Sequence, residues 1–138
     1  MRWGKLDDVW AGIEAACAAG FTPLKLNCVV VGGYNEDDVV DMARLTQTRG
    51  WHVRFIELMP LGGGECAQVA TQSFVSNRDS RRRIEDALGV LEELPTTSPS
   101  DESRNFRLKG AAGVIGFISP VSEPYCGSCN RMRLTADG

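Results

Sequence analysis

Gly20-Phe-Thr-Pro-Leu-Lys-Leu-Asn-Cys-Val-Val-Val31 and Gly50-Trp-His-Val-Arg-Phe-Ile-Glu-Leu58 carry one order of signals twice. In each, a glycine and an aromatic residue precede an apolar stretch of strand length. Each glycine also closes a helical pattern. Upstream of Gly20, Val9, Ile13, Ala16 and Cys17 fall at helical spacing between Asp7 and Ala19, with Asp7 and Asp8 placed to favour the positive helix end. Upstream of Gly50, Val39, Met42, Ala43 and Thr46 mark one face of a helix running to about Arg49, with Asn35 as its expected N-cap. Helix, glycine, aromatic and strand in repetition are the signature of βα units on a parallel sheet. Leu24–Val31 turns continuously apolar in its second half, which predicts a strand covered on both faces. One crossover does not decide between an open sheet and a closed barrel.

The pattern breaks at Pro60-Leu-Gly-Gly-Gly64. No Gly-Lys-Ser/Thr follows, so this is a turn and not a Walker loop. A third helix is expected over Asp79–Leu88, where Arg81, Arg82 and Arg83 form a solvated face. Pro95–Ser103 is a loop by composition. Phe106–Leu108 and Val114–Ile118 predict two short antiparallel strands about the Gly110–Gly113 turn. The chain therefore divides into βα units over 1–60 and a segment of different character over 61–138.

At 43% apolar and 24% charged, the 138 residues have the make-up of an ordinary globular protein. A formal charge of −3 gives no footprint for nucleic acid or membrane. No apolar run approaches the roughly 20 residues of a membrane helix. The start, Met-Arg-Trp-Gly-Lys-Leu-Asp-Asp, has no signal-peptide core, so a cytoplasmic location is expected.

Four strand residues are out of place in an apolar sheet. Alternation sets Lys25, Asn27 and Val29 on one face of their strand and Leu24, Leu26 and Cys28 on the other. A buried lysine and asparagine need partners, and phosphate or carboxylate oxygens of a ligand would serve both; Lys25 near the strand's start could equally reach water. Arg54, between Val53 and Phe55, needs Glu57 or an anion. Met59 ends its strand where parallel α/β proteins bind ligands, although methionine there more often packs.

The last fifteen residues hold the densest chemistry: Cys126-Gly-Ser-Cys129, then Asn-Arg131-Met-Arg133. Cys17, Cys28 and Cys66 are isolated, so the odd total of five argues against a disulfide framework. The spaced pair admits redox exchange, half of a zinc ribbon, or a structural coincidence. Redox exchange wants the first cysteine at a helix N-terminus, and the sequence that follows alternates as a strand instead. Arg131 and Arg133, two apart in an extended segment, would present two guanidinium forks to a multiply charged anion.

Arg54-Phe-Ile-Glu-Leu-Met-Pro60, Gly116-Phe-Ile-Ser-Pro-Val-Ser-Glu-Pro124 and Cys126-Gly-Ser-Cys-Asn-Arg-Met-Arg-Leu-Thr-Ala-Asp-Gly138 closely resemble the GTP 3′,8-cyclase family of radical S-adenosylmethionine enzymes; Leu24-Lys-Leu-Asn27 fits it too. The resemblance runs in order along nearly the whole chain. It implies an α/β fold, the C-terminal half of an incomplete (β/α) barrel over 1–60, with a C-terminal extension over 61–138. It implies a lyase of molybdenum cofactor biosynthesis that converts GTP to (8S)-3′,8-cyclo-7,8-dihydroguanosine 5′-triphosphate. Two 4Fe–4S clusters and S-adenosylmethionine serve the intact enzyme. Carried onto this sequence, Cys126 and Cys129 are two ligands of the second cluster, and Lys25, Arg54, Arg131 and Arg133 contact GTP. Met59, and less firmly Asn27, touch S-adenosylmethionine.

The family's Cys-x3-Cys-x2-Cys occurs nowhere here, and its third C-terminal cysteine would fall beyond Gly138. The resemblance thus implies a C-terminal portion, inactive alone, of an enzyme that forms a homodimer and passes its product to cyclic pyranopterin monophosphate synthase. Two alternatives remain: another radical S-adenosylmethionine enzyme with an auxiliary cluster, and a non-catalytic zinc-binding module.

Overall fold

β2, His52–Glu57, sits inside a five-stranded sheet and joins its two halves. On one side it pairs in parallel with β1, Lys25–Val30, the register setting Lys25 against His52 and Asn27 against Arg54. On the other it pairs in parallel with β5, Val114–Ile118, with Arg54 against Gly116. β4, Arg104–Leu108, runs antiparallel to β5, and the short β3, Leu91–Glu93, antiparallel to β4. The order is β1-β2-β5-β4-β3, a mixed α/β sheet. The computed structural model describes residues 4–61, 63–95, 101–125, 127 and 134–138.

The helices are α1, Leu6–Ala18; α2, Val39–Thr48; α3, Glu65–Gln72; and α4, Asn77–Leu88. α2 and α4 meet each other and the sheet, and the core lies between them and one sheet face. Val53 and Phe55 from β2, Ile115 and Phe117 from β5, Phe106 from β4 and Ile84 from α4 are its buried centre. The Phe117 ring stacks on Phe55 at 5.8 Å and meets Phe106 edge-on at 5.6 Å. Such pairs add about 0.5–1.5 kcal/mol to burial.

β2 alternates between half-exposed and buried residues throughout, so its two faces have different tasks. Val53, Phe55 and Glu57 point to the helices; His52, Arg54 and Ile56 point away. β1 is not covered on both faces, as its apolar run predicted. It is an edge strand, and Lys25, Asn27 and Val29 are exposed. The run Cys28–Val31 is apolar because Cys28 and Val30 enter the core while Val29 lies in the open.

Three further differences have local causes. Asn35 does not cap α2, which begins at Val39 after a series of turns. Its Oδ1 accepts from Val31 N–H at 2.8 Å and its Nδ2 donates to Val29 O at 3.0 Å, closing the turn. α4 begins before Asp79 because Ser76 is its N-cap: Ser76 Oγ accepts from Asp79 N–H at 3.1 Å. Arg81, Arg82 and Arg83 are engaged, not merely solvated. Arg81 pairs with Glu85 and lies 4.4 Å from the Phe106 ring centre, Arg82 pairs with Asp79, and Arg83 with Glu36. α3 and β3 are not predicted from the sequence; both are short, and α3 is evenly divided between polar and apolar residues.

Two close approaches require glycine. A Cβ on Gly113 would lie 2.3 Å from Trp51 O and 2.7 Å from Arg49 O, both backbone atoms. The second, Gly116, belongs to the site.

Candidate functional site

The open sheet face carries a polar patch two strands wide. Lys25 and Asn27 of β1 stand beside His52 and Arg54 of β2, as the register dictates. Arg54 Nε donates to Asn27 Oδ1 at 2.8 Å. Glu57, the partner considered from sequence, is on the opposite face and makes no contact with Arg54. Among the described residues neither Lys25 nor Arg54 has a carboxylate within 4.0 Å. Two cations with no ion-pair partner among the described residues suit an anionic ligand.

A cavity of about 260 Å³ opens above this patch, and Lys25, His52 and Arg54 line it. Its far wall comes from the second half of the chain, through Ser103 and Asn105. Ser103 is 5% exposed, and its Oγ donates to Asn105 Oδ1 at 2.9 Å. Val114 of β5 lines the cavity between the walls, and Gly116, two residues on, lies between Arg54 and Asn105 in the register. A Cβ there would stand 2.4 Å from Ser103 Oγ, 3.0 Å from Arg54 Cγ and 3.1 Å from Asn105 Oδ1. The missing side chain leaves room between Arg54 and Asn105, which flank Gly116 in the sheet register.

His52 is the chain's only histidine. Burial pushes its pKa below the ordinary value, and the charges of Lys25, Arg54 and Arg107 push it further the same way. It is therefore neutral near pH 7, a small polar surface among cations.

The opposite end of β2 is fixed from below. Glu57 is 1% exposed, and its carboxylate accepts from Asn77 N–H at 2.9 Å, Val121 N–H at 3.0 Å and Ser122 N–H at 2.9 Å, with the Ser122 hydroxyl donating as well. Asn77 Nδ2 adds a bond to Ile118 O at 2.8 Å. One strand, one helix start and the segment after β5 are thereby tied together.

Of the residues expected from sequence, Lys25, Asn27 and Arg54 form one patch. Met59 lies past the C-terminal end of β2, 40% exposed and apart from them. Cys126, Cys129, Arg131 and Arg133 lie outside the described residues. Among the described residues no group of three His, Cys, Asp or Glu could hold a metal ion. Cys17 and Cys28 are free, half-buried thiols, and burial raises the Cys28 pKa with help from Asp38. No helix among the described residues is long and apolar enough to cross a membrane.

Sequence reasoning missed His52, Ser103, Asn105 and Gly116. Two of them were within reach of an argument already in use. His52 shares the parity of Arg54 on β2, and Asn105 the parity opposite the core residue Phe106. Ser103 and Gly116 gave no local signal, since their role depends on β4 and β5 reaching β2.

Residues 51–138 match the family described as Molybdenum Cofactor Synthesis C. Three curated relatives are each named GTP 3′,8-cyclase. The one from Moorella thermoacetica is 44% identical over 137 residues, covering 99% of this chain and 41% of the relative. The one from Microcystis aeruginosa is 48% identical over 138 residues, with 99% and 40% covered. The one from Heliobacterium modesticaldum is 47% identical over 137 residues, with 99% and 41% covered. The chain thus spans about two fifths of the length of these relatives, and the resemblance first carried by short motifs extends along nearly all of it. Matched over well more than half of its length, this chain belongs to the Molybdenum Cofactor Synthesis C family.

Proposed function

We propose that this chain supplies the substrate side of a GTP 3′,8-cyclase, the lyase that cyclises GTP in molybdenum cofactor biosynthesis. The observation that carries the proposal is the pair of cations, Lys25 and Arg54, without carboxylate partners among the described residues, over a cavity of about 260 Å³. Relatives named GTP 3′,8-cyclase, alike over 99% of the chain, support it. Lys25 and Arg54 bind the triphosphate. Asn27 holds the Arg54 guanidinium at its Nε and leaves the outer nitrogens for phosphate oxygens. Gly116 leaves room between Arg54 and Asn105, and Ser103 orients Asn105 as the polar limit of the cavity.

Arg131 and Arg133 extend the cationic wall, and Cys126 and Cys129 are two thiolate ligands of a 4Fe–4S cluster; thiolate ligation suits their spacing and softness. Met59, beyond the end of β2, and Asn27 form part of the S-adenosylmethionine contact. When bound, these groups supply the radical chemistry and an iron for the guanine, while the residues described here bind and orient the nucleotide. The unpaired edge of β1, with Lys25 and Asn27 beside it, is where further strands of an incomplete (β/α) barrel continue the sheet. Residues 1–60 then belong to the barrel and 61–138 to the extension, with β5 of the extension inserted next to β2. By the same resemblance the enzyme is a cytoplasmic homodimer that hands its product to cyclic pyranopterin monophosphate synthase.

The test is calorimetric titration of the chain with GTP, for wild type and for Lys25→Ala/Arg54→Ala. Losing two charge-assisted contacts, each worth about 1.5–3 kcal/mol, should weaken binding at least about a hundredfold. Undiminished binding by the double variant refutes the assignment. The 138 residues contain no Cys-x3-Cys-x2-Cys, so the chain alone, reconstituted anaerobically, should show no turnover; conversion of GTP by it would overturn that expectation.

A further inference from the structure

We propose that His52 is a further ligand-contacting residue of this cavity, one that takes up a proton when a polyphosphate binds between it, Lys25 and Arg54. The inference rests on the reading of the cavity as an anion site, and it deepens that reading by naming the group that couples binding to pH.

The geometry comes first. His52 lies opposite Lys25 in the β1–β2 register, shares a face with Arg54 two residues on, and lines the same cavity. On the β5 side its partner is Val114, which offers no polar atom from its side chain. No hydrogen bond from the His52 ring to a described residue competes for it, so both ring nitrogens are available to a ligand. The charged groups facing it, among the described residues, are Lys25 from β1, Arg54 from its own strand, Arg107 from β4 and Asp101 from the segment before β4. Three cations stand against one carboxylate in the cavity wall. Glu92 of β3 lies opposite Arg107 in the register, on the same sheet face, and so offsets part of that cation's charge but not those of Lys25 and Arg54.

In the empty cavity the imidazolium form is disfavoured, first by burial and then by Lys25, Arg54 and Arg107. A polyphosphate brings several negative charges into the same space. It neutralises the field of the cations and offers acceptors to both ring nitrogens, which only imidazolium can donate to together. The ligand therefore favours the protonated ring, and by linkage the protonated ring favours the ligand. The proton comes from solvent and its charge is balanced by the bound anion. Asp101 acts in the same direction but is already present in the free protein, where it does not outweigh the cations.

The experiment titrates the 138-residue chain with inorganic tripolyphosphate, and separately with GTP, in buffers of different ionisation enthalpy between about pH 8 and about pH 6, a range that includes the ordinary histidine value of about 6.5. His52→Gln keeps a polar side chain without a titrating ring, and serves as the reference for protonation of the phosphate itself. Wild type is expected to take up more protons than His52→Gln on binding, and its affinity to rise by up to about tenfold per pH unit more steeply on acidification. Equal proton uptake and parallel pH profiles overturn the proposal, as does failure of tripolyphosphate to bind. The nucleotide reading fails separately, if GTP binds no more tightly than tripolyphosphate while the proton linkage persists. His52→Asn, if as stable as wild type, should behave as His52→Gln does; restored linkage in it would also overturn the proposal.

Discussion

Replacing Glu57 tests how the sheet is tied to the segment that leads toward Cys126. Its carboxylate is buried with no ion-pair partner among the described residues and satisfies four donors: the amides of Asn77, Val121 and Ser122 and the Ser122 hydroxyl. In Glu57→Ala the Asn77 amide, inside a residue 4% exposed, loses its acceptor where water enters with difficulty, at about 1–3 kcal/mol. The Val121 and Ser122 amides belong to exposed residues, so water replaces their bonds and each loss is about 0.5–1 kcal/mol. Relief from burying an unpaired charge offsets part of this. The net expectation is a destabilisation of about 2–4 kcal/mol, a large share of the 5–15 kcal/mol by which domains are stable. Glu57→Gln should fall between, since its single carbonyl oxygen serves one group of donors while its NH2 faces the other. Urea denaturation gives the free energies. Amide hydrogen exchange gives the location: protection of Val121 and Ser122 should drop in both variants while that of Val53 and Phe55 follows global stability. An alanine variant within 0.5 kcal/mol of wild type, or a glutamine variant more stable than wild type, would refute the account.

Gly116→Ala should cost about 1–3 kcal/mol, because its Cβ must displace Ser103 Oγ and the Arg54 stem; adding Ser103→Gly should restore part of the stability, and GTP titration should show weakened binding in the single variant. The free chain should also respond to pH through His52, whose folded pKa lies below its ordinary value. This contribution is fully present above about pH 6.5 and is lost as pH falls from there toward the lower folded value, because the unfolded state takes the proton first. Comparing urea midpoints of wild type and His52→Gln across that range isolates the effect, and identical profiles would count against the low pKa.

Most of the α/β framework was legible because its signals are local. Helical spacing ending at a glycine placed α1, and the alternation of His52–Leu58 located β2 with Arg54 on a face of its own. What alternation could not say was what lay above each face. Leu24–Val31 promised cover on both sides, yet burial depends on neighbouring layers that the strand does not encode. Arg54 was recognised as needing a partner, but its partner is Asn27 through lateral pairing, not Glu57 along the chain. Side chains two apart share a face while those three apart do not. Gly116 and Ser103 became meaningful only once β5 and β4 were docked, because Gly116 meets Arg54 through the β2–β5 pairing and Ser103 meets Gly116 through the β4–β5 pairing.

That docking has a kinetic consequence. His52 pairs with Val114 only after α3, α4, β3 and β4 have been made or looped out between them. Closing so long a loop has an entropic cost that precedes any reward, and parallel pairing of this kind is slow. The first wall of the cavity can form early, from β1 and β2; the Val114 lining and the far wall arrive with β5 and β4. An anionic ligand therefore meets a complete cavity only when folding is nearly finished. Bound there, it should leave the rate of folding nearly unchanged and act almost wholly by slowing unfolding.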